Sequence, residues 1–207
     1  MLRTPLLSAL TVIAALAACD AASPTGGADA ALTQAEALEL ASAWDAVGAG
    51  VMDGYGGPSQ ALVPGGPAEA AATIQFTSTR ACPAGGTAVL QGSREVTRDG
   101  QGNGSVALDA ARTDAACAFP ARRGEGTVTI TTTPSVQVSA RQAWADGRPG
   151  VRTSTQKGSF NWSRTPSGAS GSCTVDLAAT WTPATRTYTL QGTFCDRTVN
   201  VTRTRTE

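Results

Sequence analysis

The chain has 207 residues with 16 basic and 16 acidic side chains, and it contains no histidine. The balanced charge gives no electrostatic reason to bind nucleic acid. The absence of histidine removes the usual general base near neutral pH and the commonest transition-metal ligand, so no Ser-His-Asp or Cys-His catalytic arrangement can be built.

The first 18 residues have the parts of an export signal. Arg3 supplies positive charge, and the apolar run over residues 6–18 is shorter than the about 20 residues of a membrane-spanning helix. The run ends in Leu-Ala-Ala-Cys at residues 16–19, which resembles the lipobox of bacterial lipoprotein signal peptides. This resemblance implies cleavage before Cys19 and acylation of that cysteine. An ordinary secretory signal is the alternative, although Leu16 is bulky for its small-x-small site.

Residues 19–31 follow as a lipidated tether. The segment is rich in small and polar residues and has no bulky apolar side chain, so we expect a flexible linker. The protein is then expected in the cell envelope, anchored on the extracytoplasmic side of a membrane. In some proteobacterial lipoproteins an aspartate after the lipidated cysteine, as at Asp20, favours the inner membrane; the choice between membranes stays open.

An amphipathic helix is predicted over residues 32–51. Thr33 and Glu36 have the spacing of a capping box, and apolar residues then recur at helical intervals as far as Val51. We expect the helix to end near Gly48 or Gly50, because glycine adopts the left-handed cap conformation easily. A Gly/Pro/Ala connector follows over residues 52–71.

Residues 72–207 alternate apolar residues with Thr, Ser and Arg, and turn-forming residues separate the alternating runs. One apolar and one polar face are typical of an antiparallel sheet with one side in water. We therefore predict a mainly β fold: an antiparallel meander of about nine strands, curled or barrel-like, with one N-terminal helix. The clearest alternation lies in residues 173–181.

Four cysteines besides Cys19 form an even set, as in exported proteins with two disulfides. Of three possible connectivities we favour the local pairs Cys82–Cys117 and Cys173–Cys195. A zinc site is the alternative, but closely spaced cysteine pairs are absent from the sequence.

The position of Cys195 is less clear. If Val175 pairs with Gly192, the antiparallel pairing that follows from it matches the apolar faces of the two strands. The same pairing leaves Cys195 out of phase with Cys173, because the two side chains then point to opposite faces. Either a bulge near Gly192 restores the phase, or residues 196–197 form a tight turn with Cys195 at a strand end.

Two short motifs suggest chemistry. Ser154 and Lys157 match the S-x-x-K pattern of penicillin-binding enzymes, but we expect a strand there, where residues three apart face opposite ways. Residues 99–104 look like the start of a calcium loop, but the bidentate acid is missing at its twelfth position, Ala110. A hairpin turn explains the same residues.

Three further motifs resemble segments of uncharacterised predicted lipoproteins of GC-rich bacteria: residues 157–162 (Lys-Gly-Ser-Phe-Asn-Trp), 171–177 (Gly-Ser-Cys-Thr-Val-Asp-Leu) and 192–195 (Gly-Thr-Phe-Cys). The resemblance implies the β fold and the envelope location. It implies no activity.

The sequence therefore favours a membrane-anchored binding or structural module that is not an enzyme and has no cofactor or metal. The expected partners are the membrane, through the lipid anchor, and either an envelope protein or an apolar ligand. No binding of nucleic acid is expected. The alternative is a lipocalin-like carrier of an apolar small molecule. Its pocket would be lined by Trp162, Trp181, Tyr188 and Phe194.

Overall fold

The computed structural model describes residues 31–53, 69–99, 101–121 and 126–205. The predicted export signal, the predicted lipidation site at Cys19, nearly all of the predicted tether and residues 54–68 of the predicted connector lie outside the described residues. Within the described part, no helix combines the length and the apolar character needed to cross a membrane.

Helix α1 spans Gln34–Asp53, and its start follows from the predicted capping box. The backbone N–H of Thr33 donates to Glu36 Oε2 at 2.9 Å, and the N–H of Glu36 donates to Thr33 Oγ1 at 3.3 Å. The predicted end at Gly48 or Gly50 is wrong. Gly48 lies inside the helix, where a Cβ would sit 3.3 Å from Arg112 Nη1. The glycine therefore permits close approach of the helix to the sheet.

Within the described residues, ten strands form a single antiparallel sheet, which confirms the mainly β, meander-like fold. Eight of them follow the path β1-β2-β3-β6-β7-β8-β9-β10, so β1 and β10 lie at its two ends. The strands are β1 Glu69–Ala81, β2 Thr87–Asp99, β3 Gly104–Ala115, β4 Cys117–Pro120, β5 Thr127–Thr131, β6 Val136–Ala145, β7 Arg148–Thr165, β8 Ser170–Thr182, β9 Thr187–Phe194 and β10 Arg197–Thr204.

The short strands β4 and β5 leave the main path between β3 and β6. They pair with each other, and β5 also pairs with the second half of β7, from Asn161 to Thr165. The first half of β7 pairs with β6 instead. The 18-residue strand β7 is therefore long enough to join the main sheet to the β4–β5 ribbon.

The sheet curls around α1. The helix contacts β1 and β2 near one end of the strand path, β9 and β10 at the other, and also β4. Its centre is Trp44, which is fully buried and whose ring centroid lies 6.0 Å from that of Phe160 and 5.9 Å from that of Phe194. Aromatic packing of this kind stabilises a core beyond the area that it buries. The helix thus packs on the concave face of the sheet and contacts strands near both ends of the strand path.

The register between β8 and β9 differs from the predicted one. Val175 pairs with Phe194 and Leu177 with Gly192, two residues away from the predicted pairing. The apolar faces still match, because a shift of two residues keeps every side chain on its face. The pairing contains no bulge near Gly192. Glycine is required there for another reason: its φ is +131°, and a Cβ would lie 2.0 Å from the carbonyl oxygen of Asp176.

The turn after β9 explains how Cys195 reaches its partner. Cys195 and Asp196 have φ of 52° and 58°, as in a two-residue hairpin turn of type I′. The predicted turn at residues 196–197 is therefore one residue too late. Cys195 lies in the turn itself, outside the alternation of β9, with its Cα 4.5 Å from that of Cys173.

Both predicted disulfides are confirmed. Cys82 bonds to Cys117, across 35 residues of sequence, and Cys173 bonds to Cys195, across 22 residues. The first joins the β1–β2 turn to the start of β4, and the second joins β8 to the turn after β9.

Candidate functional site

A buried ion pair on the concave face of the sheet joins the helix to β3. Arg112 and Asp114 are two residues apart on this strand, so they share its inner face with Val106, Leu108 and Ala110. Arg112 Nη2 lies 2.8 Å from Asp114 Oδ1, and both side chains are fully buried. The Nε of Arg112 donates to both carboxylate oxygens at 3.0 Å.

Trp44 of α1 forms hydrogen bonds with both members of this ion pair. Arg112 Nη1 donates to the carbonyl oxygen of Trp44 at 2.7 Å, and the indole N–H of Trp44 donates to Asp114 Oδ2 at 3.2 Å. The guanidinium carbon lies 3.9 Å from the centroid of the Trp44 ring. Burial lowers the pKa of Arg112, and the charge of Asp114 opposes this effect. The pair therefore holds one turn of the helix in a defined position on the sheet.

Asp45, the next residue of the helix, anchors it to β7 and β9. Its Oδ1 accepts a hydrogen bond of 2.5 Å from Gln156 Nε2, and its Oδ2 accepts one from the hydroxyl of Tyr188. Burial raises the pKa of Asp45, against the opposing effects of these hydrogen bonds and of the charges of Arg112 and Arg152. Burial, together with the neighbouring Asp45, also raises the pKa of Tyr188.

A cleft of about 500 Å³ opens beside Asp45, between the second half of α1 and the adjacent strand ends. This volume falls within the range of small-molecule sites in proteins. Its lining residues come from the helix and from β7, β8, β9 and the end of the β10 segment: Ser42, Asp45, Ala46, Ala49, Arg152, Trp181, Tyr188, Arg203 and Arg205. We refer to this feature as the arginine cleft.

The lining is strongly biased in charge. Three guanidinium groups, those of Arg152, Arg203 and Arg205, line the arginine cleft, while Asp45 is the one acidic group that does so among the described residues. Arg203 and Arg205 are exposed, and Arg152 is partly exposed. In a chain with equal numbers of acidic and basic residues, this local excess of positive charge is a distinct electrostatic feature.

A small apolar cavity of about 20 Å³ adjoins the arginine cleft and shares five lining residues with it. Its far wall consists of Leu90, Leu108, Val138 and Ala140, which belong to the concave face of β2, β3 and β6. The two cavities are thus neighbours, and both are lined by Asp45, Ala49, Arg152, Trp181 and Tyr188.

The four side chains predicted to line a ligand pocket divide into two pairs. Trp162 and Phe194 are buried in the core under the helix. Trp181 and Tyr188 are paired across β8 and β9, and both line the arginine cleft. The structure therefore brings two of the four to one site and packs the other two between helix and sheet.

The S-x-x-K motif lies in a strand, and the calcium-like segment forms a turn. Ser154 and Lys157 lie on opposite faces of β7: Ser154 lines the apolar cavity, while Lys157 is exposed and forms an ion pair of 2.8 Å with Asp176. Asp99 accepts hydrogen bonds from the N–H groups of Gln101 and Asn103 at 2.8 and 3.0 Å, so it stabilises the turn between β2 and β3. The expected strand and hairpin roles are confirmed.

One cluster has the residue types of a metal site: Cys82, Cys117 and Asp114 place their ligand atoms within 4.8 Å of one another. The two sulfurs are bonded to each other, and the carboxylate of Asp114 accepts hydrogen bonds from Arg112 and Trp44. The disulfide form therefore has no thiolate to offer a cation at this position.

Sequence reasoning missed the polar residues of this site, although a signal for some of them was present. Arg112 and Asp114 continue the inward alternation of β3, and Asp45 stands four residues after Ala41 on the buried face of α1. Polar residues in phase with a buried face indicate an internal network. The convergence of Arg152 with Arg203 and Arg205 has no such local signal, because Arg152 is distant from the other two in sequence.

Comparisons of this chain with family models, with curated proteins and with solved structures found no match.

Proposed function

We propose that this protein is a non-enzymatic binding module of the cell envelope, anchored by lipid at Cys19, and that its ligand occupies the arginine cleft. The observation that carries the proposal is the cleft itself: about 500 Å³ bounded by a helix and the ends of four strand segments. Two aromatic side chains, Trp181 and Tyr188, provide contact area for a ligand, and the buried hydrogen bonds of Asp45 hold one wall in place.

Binding rather than catalysis is supported by the chemistry of the lining. A catalytic acid or base needs a titratable group that can reach the reacting atom. Asp45 is the acidic candidate, but both its oxygens already accept hydrogen bonds from Gln156 and Tyr188. The three guanidinium groups offer positive charge and hydrogen-bond donors to a ligand. These groups can attract and orient a ligand without transforming it.

The envelope location is supported by the two disulfides, because such bonds persist in oxidising compartments outside the cytoplasm. A lipid anchor at Cys19 followed by the tether of residues 19–31 would keep the domain close to a membrane. The arginine cleft would then sample ligands at or near the membrane surface.

A carrier of an apolar small molecule is the second candidate, and the apolar cavity behind the cleft favours it. At about 20 Å³ the cavity holds no more than a water-sized group. A carrier would therefore need Trp181 and Tyr188 to move before an apolar body could pass between them and reach Leu90.

The test is a native mass spectrum of the full chain, extracted gently in a neutral detergent. We expect a stoichiometric bound molecule that is lost in the Ala46→Trp variant, in which an indole fills the cleft. Ala178→Trp is the matched control, since Ala178 is exposed on the outer face of β8. The bound molecule should remain in this control. An empty wild-type protein, or equal loss in both variants, would contradict binding in the cleft.

A further inference from the structure

We propose that the ligand of the arginine cleft carries an anionic group, a phosphate or a carboxylate, on an apolar body. This inference rests on the proposed function and names the chemical class of the ligand. It follows from two features of the lining: the excess of guanidinium groups in the arginine cleft and the apolar side chains of the adjoining cavity.

The anionic part is inferred from the guanidinium groups. Arg152, Arg203 and Arg205 come from two separate parts of the chain, and the curl of the sheet brings them to one cleft. Three positive charges close together repel one another, and an anion between them removes this repulsion. Guanidinium groups also donate pairs of hydrogen bonds that match the oxygens of a phosphate or carboxylate.

Asp45 lies at the base of the cleft, where its pKa responds to the charge of Arg152. Its carboxylate oxygens accept their hydrogen bonds from Gln156 and Tyr188 at the base of the cleft. Arg203 and Arg205, by contrast, are exposed at the mouth. The base of the cleft is therefore tied by internal hydrogen bonds, and the charged rim faces an incoming ligand.

The apolar part is inferred from the walls. Ala46 and Ala49 contribute small side chains from the helix to the lining, and Trp181 and Tyr188 contribute aromatic rings from β8 and β9. The apolar cavity lies directly behind these rings. A ligand with its anionic group at the arginines would place its body along the rings, where contact with aromatic surface is favourable.

Two sources can supply such a molecule: a membrane lipid with an anionic headgroup, or a soluble phosphate-bearing compound. Three matched probes distinguish them in isothermal titration calorimetry of the full chain in a neutral detergent. Dihexanoyl phosphatidic acid has both the head and the apolar body, dihexanoylglycerol has the body alone, and glycerol 3-phosphate has the head alone.

We expect dihexanoyl phosphatidic acid to bind at least about tenfold more tightly than dihexanoylglycerol, the difference made by one charge-assisted hydrogen bond. Arg203→Gln should weaken its binding by about tenfold for the same reason. Arg141→Gln is the matched control, because Arg141 is an exposed arginine on the outer face of β6, and it should leave the affinity unchanged.

The titrations distinguish failure of the anionic inference from failure of the proposed binding function. Equal binding of phosphatidic acid and dihexanoylglycerol, with no effect of Arg203→Gln, would overturn the anionic inference while leaving the proposed binding function intact. If none of the three probes binds and native mass spectrometry finds the wild-type cleft empty, the proposed function fails as well. Tight binding of glycerol 3-phosphate alone would support the anionic group, assign a soluble source and overturn the apolar body.

Discussion

The buried pair of Arg112 and Asp114 makes the sharpest prediction about stability. Replacing Asp114 by alanine removes the three hydrogen bonds that the carboxylate accepts from the fully buried guanidinium of Arg112. Breaking one side of a buried ion pair typically costs about 3–5 kcal/mol. We expect Asp114→Ala to lower the free energy of unfolding by about that amount. Arg112→Met should have a comparable effect, because it leaves the carboxylate buried.

The double variant Arg112→Met, Asp114→Ala separates pairing from burial. With both charges removed, neither partner is left desolvated and alone, so its cost should fall well below the sum of the two single costs. The coupling energy from this double-mutant cycle should reach about 2 kcal/mol or more. Urea denaturation with the disulfides intact, followed by tryptophan fluorescence, measures all four proteins.

The surface pair of Lys157 and Asp176 is a matched control within the same chain. It has the same N–O distance of 2.8 Å, but its side chains are 75% and 59% exposed. The parallel cycle Lys157→Met, Asp176→Ala should show almost no coupling, since water and salt screen an exposed pair. Equal coupling in the two cycles would refute the reasoning that burial gives the Arg112–Asp114 pair its importance.

Three other predictions concern the anchor, a disulfide and a buried acid. The intact mass of the membrane-extracted protein should correspond to a chain beginning at Cys19 with added acyl mass, and a different terminus without acyl mass would contradict lipidation. Replacing both Cys173 and Cys195 by alanine should cost roughly 3–4 kcal/mol in urea denaturation, because the bond closes a loop of 22 residues in the unfolded chain; an unchanged midpoint would argue against this role. Burial raises the pKa of Asp45 above its ordinary 3.8, so the folded protein binds the carboxyl proton more tightly than the unfolded chain does. The contribution of the protonated carboxyl to stability is therefore lost as the pH rises above 3.8. The stability of Asp45→Asn relative to the wild type should therefore increase between acid and neutral pH, and a constant or falling difference would contradict the assignment.

Local patterns in the sequence predict much of this fold. The alternation of residues 173–181 indicates a half-buried strand, and β8 shows that pattern of burial. Thr33 and Glu36 mark the start of α1 because the capping box depends on residues only three positions apart. The two disulfides were predicted from the even number of cysteines besides Cys19 and from the expectation that the chain is exported.

Features that depend on tertiary contacts were not predictable in the same way. Gly48 looks like a helix end in isolation, but close packing against Arg112 explains a glycine inside the helix. The two-residue register difference between β8 and β9 leaves every side chain on the same face, so alternation cannot detect it.

The candidate site depends even more on the three-dimensional arrangement. Trp181 and Tyr188 were identified from their aromatic character, and their neighbouring positions on β8 and β9 place them together. Arg152 and Arg203 join them only because β7 and β10 lie on either side of the β8–β9 pair in the sheet. No pattern along the chain indicates which of its many arginines converge.

A crystal structure of the full chain with dihexanoyl phosphatidic acid tests the central claim most directly, because it locates the ligand. We expect the phosphate in the arginine cleft, with oxygens about 3 Å from guanidinium nitrogens of Arg152, Arg203 or Arg205, and the acyl chains against Trp181. A phosphate bound on the outer face of the sheet, with the cleft unoccupied, would contradict the claim.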